Sequence, residues 1–242
     1  MSAPPPQKYA WASDFSQYVT SMTRGHGYGG EKFWDEEELF LRNRFAEKVS
    51  RCLSVGCGLF RELNTLRHIS IDEVWGMDNE KDFIEYLKSS QTSVRPAVRI
   101  EHADIYSVYI PPEKRFDLVL MIFNTLGFMY DIPLALKKLY DAVVPGGTLM
   151  LSFWMEDDLT TQERIRIYTS SENKQARVEY NPFKNLNDIV VCKDGTEIFR
   201  SAIFTKPFLE EMVEKNIPGA NIEFMDLTVA RIMLLHKSSS CP

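Results

Sequence analysis

Short apolar segments alternate with amphipathic segments through the first two thirds of the chain. Five mostly apolar runs have the length of strands, at 51–56, 73–78, 97–103, 116–122 and 148–154. Segments with helical periodicity separate most of them, at 60–68, 81–90 and 133–143. Strands that alternate with helices form a parallel sheet through right-handed crossovers. The pattern therefore predicts a doubly wound α/β fold with helices on both faces of the sheet.

The pattern changes after Glu156. Strand-like segments follow at 176–180, 189–192 and 197–204, and Asp194-Gly195 between the last two is a strong hairpin signal. A helix is predicted at 206–215, followed by two closing strands at 222–227 and 230–236. We expect a mostly parallel seven-stranded sheet that ends in a C-terminal antiparallel hairpin. A small antiparallel insert at about 175–204 would shape the substrate site.

The N-terminal region has a different composition from the rest of the chain. Residues 8–30 contain five aromatic residues and four glycines, which predicts a short helix and a mobile loop. The next helix is expected to begin near Trp34 or Asp35 and to run to about Val49. We therefore expect an N-terminal arm over residues 1–34, acting as a lid, and one domain over residues 35–242.

Charge and targeting patterns narrow the class of protein. The 242 residues carry a net charge of −6, and the densest charge runs, at 35–38 and 156–158, are acidic and predicted to be solvated. A basic stripe, which nucleic-acid binders usually need, is missing from the sequence. No apolar signal core or run of eighteen apolar residues occurs. The prediction is a cytoplasmic protein without nucleic-acid or membrane partners.

A glycine-containing turn joins the first predicted strand to the first predicted helix. Gly56 and Gly58 flank Cys57 there, and glycine lets the backbone turn sharply and approach a ligand closely. Asp78 ends the second predicted strand, twenty residues after Gly58, where a carboxylate can accept ribose hydroxyls. Asp104 follows the third strand. Open α/β sheets bind ligands at this carboxyl edge.

These features resemble those of the class I S-adenosylmethionine-dependent methyltransferases, which have a Rossmann-like sheet. The resemblance covers roughly residues 35–236 and rests on V-G-C-G at 55–58, the acid at 78, A-D-I at 103–105, F-D-L-V-L at 116–120 and V-P-G-G at 144–147. It implies that S-adenosylmethionine is the cofactor. The implied binding residues are Gly56, Cys57 and Gly58 for the methionyl part, Asp78 and Asn79 for ribose, Ala103, Asp104 and Ile105 for adenine, and the backbone near Met121 for the methionyl amine.

Two positions depart from the family pattern. Ser54 stands where the family usually has an acid, two residues before the first glycine, and Phe60 stands in place of the third glycine. A nicotinamide-dependent enzyme is the competing interpretation of the glycine turn. Its fingerprint would place a glycine at position 61, where this chain has Arg61, and its pyrophosphate would favour a cleaner glycine loop.

The segment after the fourth strand bears on the methyl acceptor. Residues 123–129 resemble the N-[ST]-[LF] segment of small-molecule N-methyltransferases of the glycine methyltransferase type, so Asn124 is a candidate to face the transferred methyl group. The alternative is that Asn124 caps the following helix. His26 and Tyr28 of the N-terminal region are the other catalytic candidates, and Tyr18 is a candidate cofactor contact.

The predicted function is in-line methyl transfer to a small-molecule acceptor, an amine, hydroxyl or carboxylate. Such a reaction needs alignment and exclusion of water more than a fixed catalytic residue. No metal site is expected, because no cysteine lies at ligand spacing from another cysteine or a histidine. The alternatives are a non-catalytic cofactor-binding protein and an RNA methyltransferase. The assembly is expected to be a monomer or a homodimer.

Overall fold

The structure, a computed structural model, describes residues 28–46, 49–90, 96–170 and 173–239. Its α-helices are α1 (Tyr28–Arg44), α2 (Leu63–Leu66), α3 (Lys81–Ser90), α4 (Ile132–Asp141), α5 (Asp158–Tyr168) and α6 (Lys206–Asn216). Its strands are β1 (Val49–Val55), β2 (Ile71–Asp78), β3 (Ala97–His102), β4 (Phe116–Met121), β5 (Val143–Trp154), β6 (Lys174–Asn181), β7 (Leu186–Lys193), β8 (Thr196–Ile203), β9 (Asn221–Asp226) and β10 (Ala230–His236). Two short 3-10 helices cover Pro112–Lys114 and Thr125–Phe128.

Seven strands form the main sheet, in the order β3-β2-β1-β4-β5-β10-β9. The first five are parallel, and β10 runs antiparallel to both β5 and β9. The chain reverses direction across the sheet between β1 and β4, which places the ends of β1, β2 and β4 next to one another. The predicted α/β fold, with a parallel sheet and a C-terminal antiparallel hairpin, is confirmed.

The central strands are buried on both faces. Side chains of β4 alternate between two apolar clusters, with Phe116, Val119 and Met121 on one face and Leu118 and Leu120 on the other, all with no exposed surface. A strand covered by helices on both sides is apolar at nearly every position, which explains the apolar run from Leu118 to Met121 in the sequence. This rigid centre fixes the ends of β1 and β4.

A separate three-stranded antiparallel sheet forms the predicted insert, in the order β6-β7-β8. Helix α5 packs on it through Ile167 and Tyr168, which share an apolar cluster with Phe199 of β8 and Trp154 of β5. The rings of Tyr168 and Phe199 lie edge to face, with their centroids 5.3 Å apart. The insert is thereby anchored to the edge of the main sheet.

The structure corrects the prediction for two helices. Helix α1 spans Tyr28–Arg44 rather than beginning at Trp34 or Asp35, and Val49 begins β1. Phe33, placed in the predicted arm, is fully buried against Trp154, with ring centroids 4.5 Å apart. The helix predicted at 60–68, after the glycine turn, is reduced to the four residues of α2, with turns on either side.

Helix α5 was not predicted at all. Its apolar residues do not recur with a clear helical period, so the sequence pattern did not indicate a helix there. Its N-cap is Asp157, whose side chain accepts a hydrogen bond from the backbone N–H of Thr160 at 2.9 Å. The acidic run at 156–158 therefore starts a helix and is not simply a solvated face.

The other acidic run is also largely inward-facing. Glu36 accepts hydrogen bonds from the backbone N–H groups of Thr228, Val229 and Ala230, at 2.9–3.2 Å, and so holds α1 to the β9–β10 turn. Glu37 has no exposed surface. The predicted solvated face at 35–38 is wrong for these two residues because they dock the helix on the sheet.

Candidate active site

The glycine turn lies directly over the end of β2. Gly56 and Gly58 have φ angles of +67° and +51°, which side chains other than glycine adopt at a cost. The backbone N–H groups of Gly56 and Cys57 both donate to the carbonyl oxygen of Met77, at 2.8 and 3.1 Å. The turn is therefore fixed to the residue that precedes Asp78.

Asp78 is buried at the carboxyl end of β2. Its Oδ2 accepts a hydrogen bond from the N–H of Gly58 at 2.7 Å, and its Oδ1 accepts one from the N–H of Glu80 at 2.9 Å. No ion pair to a described residue neutralises it. Burial raises the pKa of this carboxyl, while the backbone N–H donors act in the opposite direction. Each oxygen keeps a lone pair for a further donor.

The predicted adenine-side residues lie at the neighbouring strand end. The N–H of Ala103 donates to the carbonyl of Asp78 at 2.9 Å, which ties the end of β3 to the end of β2. Asp104 is partly exposed, and its Oδ1 accepts from the N–H of Tyr106 at 2.9 Å. Asn79 is exposed and Ile105 is buried. Asp78 and Asp104 thus stand at adjacent strand ends of one sheet edge.

Phe60 occupies the position of the missing third glycine. Its φ of +53° is the left-handed conformation that a glycine would adopt without strain. The ring is buried against Gly76 of β2, where an added Cβ would lie 2.7 Å from it. Phe60 therefore keeps the backbone path of the glycine, and apolar packing of its ring offsets the strain of about 1–3 kcal/mol.

Glu62 lies beside Ser54, the other position that departs from the family pattern. It lies four residues after Gly58, is buried, and accepts a hydrogen bond from the hydroxyl of Ser54. Burial raises the pKa of Glu62, and the bond from Ser54 opposes that shift. A carboxylate is therefore held next to position 54 by a residue of the turn instead of by the strand. Glu62 was not predicted as a site residue, because the family pattern places the acid at position 54 on the strand and not in the turn.

A second buried acid reaches the sheet edge from α1. Glu37 accepts hydrogen bonds from the N–H of Phe123 at 2.8 Å and from the hydroxyl of Ser152, and it pairs with Arg61. The guanidinium of Arg61 also lies over the ring of Trp34, 4.8 Å from its centroid. This group, Glu37, Arg61, Phe123 and Ser152, is called the Glu37 network below. It joins α1 to the ends of β4 and β5.

Asn124 lies at the end of β4 and is buried. Its φ is +58°, its N–H donates to the carbonyl of Ser152 at 3.0 Å, and its Nδ2 donates to Ser201 Oγ of β8 at 3.0 Å. The alternative role of a side-chain cap is wrong, because Asn124 makes no such bond to the following 3-10 helix. Met121 is fully buried, with its backbone inside the β4–β5 ladder.

The structure does not describe the side chains of the three candidates of the N-terminal region. Tyr18 and His26 lie outside the described residues, and Tyr28 is the first residue of α1, with a side chain that is likewise not described. Among the described residues, no group of three or more His, Cys, Asp or Glu side chains is arranged to bind a metal ion. Within the same ranges, no helix is long and apolar enough to cross a membrane.

Residues 52–147, which include the glycine turn, Asp78, Asp104 and Asn124, match a family model described as a methyltransferase domain. The match covers the central part of the chain, about two fifths of its length. No curated protein matches the sequence. The domain match and the fold together confirm the predicted enzyme class and cofactor, those of an S-adenosylmethionine-dependent methyltransferase.

Solved structures share the fold of this methyltransferase at low sequence identity. An S-adenosylmethionine-dependent methyltransferase from Clostridium acetobutylicum has a TM-score of 0.62 at 12% identity, covering 93% of this chain and 98% of its own. CalS10 from Micromonospora echinaspora, an amino pentose methyltransferase solved with S-adenosylmethionine bound, has a TM-score of 0.61 at 16% identity, covering 91% and 97%. DesVI from Streptomyces venezuelae has a TM-score of 0.58 at 14% identity, covering 94% and 98%. These likenesses concern the fold.

Proposed function

We propose that this methyltransferase acts on a small-molecule acceptor and binds its methyl donor at the edge formed by the glycine turn, Asp78 and Asp104. The observation that carries the donor site is the attachment of the turn to Asp78 through the N–H of Gly58. Among the described residues, this buried carboxylate has no ion-pair partner, and it lies beside a glycine backbone that a ligand can approach closely. S-adenosylmethionine supplies a methyl group on a sulfonium with a good leaving group.

The donor set fits the adenosine part of that cofactor. Two carboxylates at adjacent strand ends can accept hydrogen bonds from ribose hydroxyls and from an adenine amino group. Gly56, Cys57 and Gly58 would line the methionyl part, with Asn79, Ala103, Ile105 and Met121 beside it. The chain's own contribution to the reaction is to orient the two reactants and exclude water.

Glu62 is proposed to bind the methionyl ammonium in place of the acid that Ser54 replaces. The hydroxyl of Ser54 fixes the orientation of Glu62, and burial excludes water from the contact. A charge-assisted hydrogen bond in such a place contributes about 1.5–3 kcal/mol.

Glu62→Gln should weaken binding of S-adenosylhomocysteine by about tenfold and leave binding of 5′-methylthioadenosine unchanged, because only the first ligand has an amino group there. Calorimetry with both ligands measures the difference. The wild-type affinity should also fall as the pH drops through the raised pKa of Glu62, since only the carboxylate attracts an ammonium. The double variant Ser54→Asp/Glu62→Gln restores an acid on the strand and should recover binding. Equal losses for both ligands would contradict the assignment.

The small-molecule acceptor is supported by charge and by architecture. A chain of net charge −6 is poorly suited to a polyanionic substrate. The insert β6–β8 is proposed to shape the acceptor site, and the part of the N-terminal arm that precedes α1 is proposed to close over the donor. The likeness in fold to an amino pentose methyltransferase supports the same class of acceptor. The narrower resemblance to the glycine methyltransferase type stays a prediction.

A direct test combines binding and turnover. S-adenosylmethionine should bind with a measurable Kd by calorimetry, and a cell extract incubated with enzyme and methyl-labelled donor should yield a labelled product of low molecular mass. Label that appears only in RNA would favour the RNA methyltransferase instead. Binding without any transfer would favour a regulatory protein.

A further inference from the structure

Arg164 lies in the middle of α5 and is wholly buried. Its Nη2 donates to Ser201 Oγ and to the carbonyl oxygen of Ala202, each at 3.0 Å, whereas Nε and Nη1 have no hydrogen-bond partner among the residues that the structure describes. A guanidinium has five N–H groups and stays protonated, so a full charge and three donors are left unmatched. Burying such a group without an anion costs several kcal/mol.

The polar groups around Arg164 are uncharged. Ser201 Oγ accepts from Asn124 Nδ2 at 3.0 Å and lies 3.2 Å from the hydroxyl of Tyr168. The four residues Asn124, Arg164, Tyr168 and Ser201 are called the Arg164 cluster. No described carboxylate forms an ion pair with the guanidinium. The cluster therefore has a cation, several neutral hydrogen-bonding groups and no counter-charge of its own.

The Arg164 cluster lies near the glycine turn of the proposed donor site. The 3-10 helix Thr125–Phe128 separates the two. At one end, Thr125 packs so closely on the glycine turn that a Cβ added to Gly56 would lie 2.5 Å from its Cγ2. At the other end, a Cβ added to Gly127 would lie 2.5 Å from Asn124 Nδ2 and 3.3 Å from the backbone N of Ala202. The short 3-10 helix thus contacts the glycine turn at one end and, at the other end, Ala202, whose carbonyl accepts from Arg164.

We propose that Arg164 binds a carboxylate carried by the methyl acceptor. The inference rests on the proposed function, since it names the class of acceptor for the same site. A single buried guanidinium matches a monoanion, whereas a phosphate dianion would leave a net charge buried. The rings of Phe128, Tyr168 and Phe199, with centroids 5.3–6.2 Å apart, supply apolar surface for the rest of a small acceptor. Because Arg164 is wholly buried, an acceptor reaches it only as α5 or the adjoining turn shifts.

The role of a ligand anchor differs measurably from a structural role. Arg164→Met keeps much of the aliphatic volume. It removes two hydrogen bonds, to Ser201 and Ala202, and also removes a buried charge whose desolvation is costly, so the two effects oppose each other. We therefore expect Arg164→Met to melt within a few degrees of the wild type or above it. A loss of more than about 10 °C in Tm would mark the guanidinium as structural and overturn the proposal.

The binding test uses matched probes in the presence of saturating S-adenosylhomocysteine. Acetate, propionate and benzoate are compared with acetamide, propionamide and benzamide by thermal shift and calorimetry. At least one carboxylate should bind at least about tenfold more tightly than its amide, since a site built for a charged partner rejects the neutral analogue. Arg164→Met should remove that preference. Arg166→Met, which alters an exposed arginine of the same helix paired with Glu163, should keep it.

Three results would defeat the assignment: no carboxylate preference in the wild type, a preference that survives Arg164→Met, or stabilisation by phosphate alone. Failure of S-adenosylhomocysteine to bind is a separate outcome, because it would contradict the proposed donor site whatever the carboxylates do.

Discussion

Asp78→Ala should weaken binding of S-adenosylmethionine by at least about tenfold. The proposed role of Asp78 is to accept both ribose hydroxyls, and each charge-assisted bond contributes about 1.5–3 kcal/mol. Loss of the carboxylate also frees the N–H of Gly58, which donates to it at 2.7 Å, so the glycine turn loses a support. Calorimetry gives the affinity, and the melting temperature shows whether the fold persists.

Asp78→Asn separates the two contributions. It keeps the shape and one acceptor near Gly58 but removes the charge, so affinity should fall while Tm changes little. Asp82→Asn, at an exposed position of α3, is the matched control and should bind as the wild type does. An Asp78→Ala variant with unchanged affinity would remove Asp78 from the donor site.

Glu37→Ala should produce the largest loss of stability among single changes on α1. The substitution leaves Arg61 without its carboxylate and removes the acceptor that Glu37 provides to the N–H of Phe123. Breaking a buried pair from one side costs about 3–5 kcal/mol, and the partial exposure of Arg61 reduces that to about 2–4 kcal/mol. For a chain of this size the Tm should fall by roughly 10 °C.

Glu38→Ala provides the comparison on the same helix. Glu38 pairs with Arg42 in an exposed i,i+4 arrangement, which is worth at most about 0.5 kcal/mol. Equal melting temperatures for the Glu37 and Glu38 variants would show that the Glu37 network does not hold α1 to the sheet.

The succession of strands and helices along the chain and the carboxyl-edge acids could be predicted from the sequence because they depend on local patterns. An apolar run such as that of β4 indicates a strand buried on both faces. Acids at the carboxyl ends of parallel strands, such as Asp78 after β2 and Asp104 after β3, lie at the ligand edge of the sheet. The backbone conformation at Phe60 could not be predicted from the motif, because the residue adopts the left-handed conformation usual for glycine although it has a side chain. Ser54 is a second such case, because the acid near position 54 comes from Glu62 along the turn.

Features that depend on contacts between distant segments were not predictable. Helix α5 lacks a clear period because it is held by an N-cap and by the insert rather than by one apolar face. Glu37 is 115 residues from Ser152 in the sequence, so its acidic run resembled a solvated surface. Arg164 gave no signal either, since an isolated arginine in a polar segment is ordinary until its burial is known.

The burial of Cys57, between the two glycines of the turn, affects how readily this protein is oxidised. Burial raises the pKa of Cys57, with Asp78 and Glu62 adding to the shift, and burial likewise raises the pKa of Cys52 on β1. The thiolate is the form that reacts with peroxides and disulfides, so a buried thiol with a raised pKa is expected to react slowly while the turn keeps its fold. We therefore expect the glycine turn to resist oxidation, although a cysteine lies at its centre.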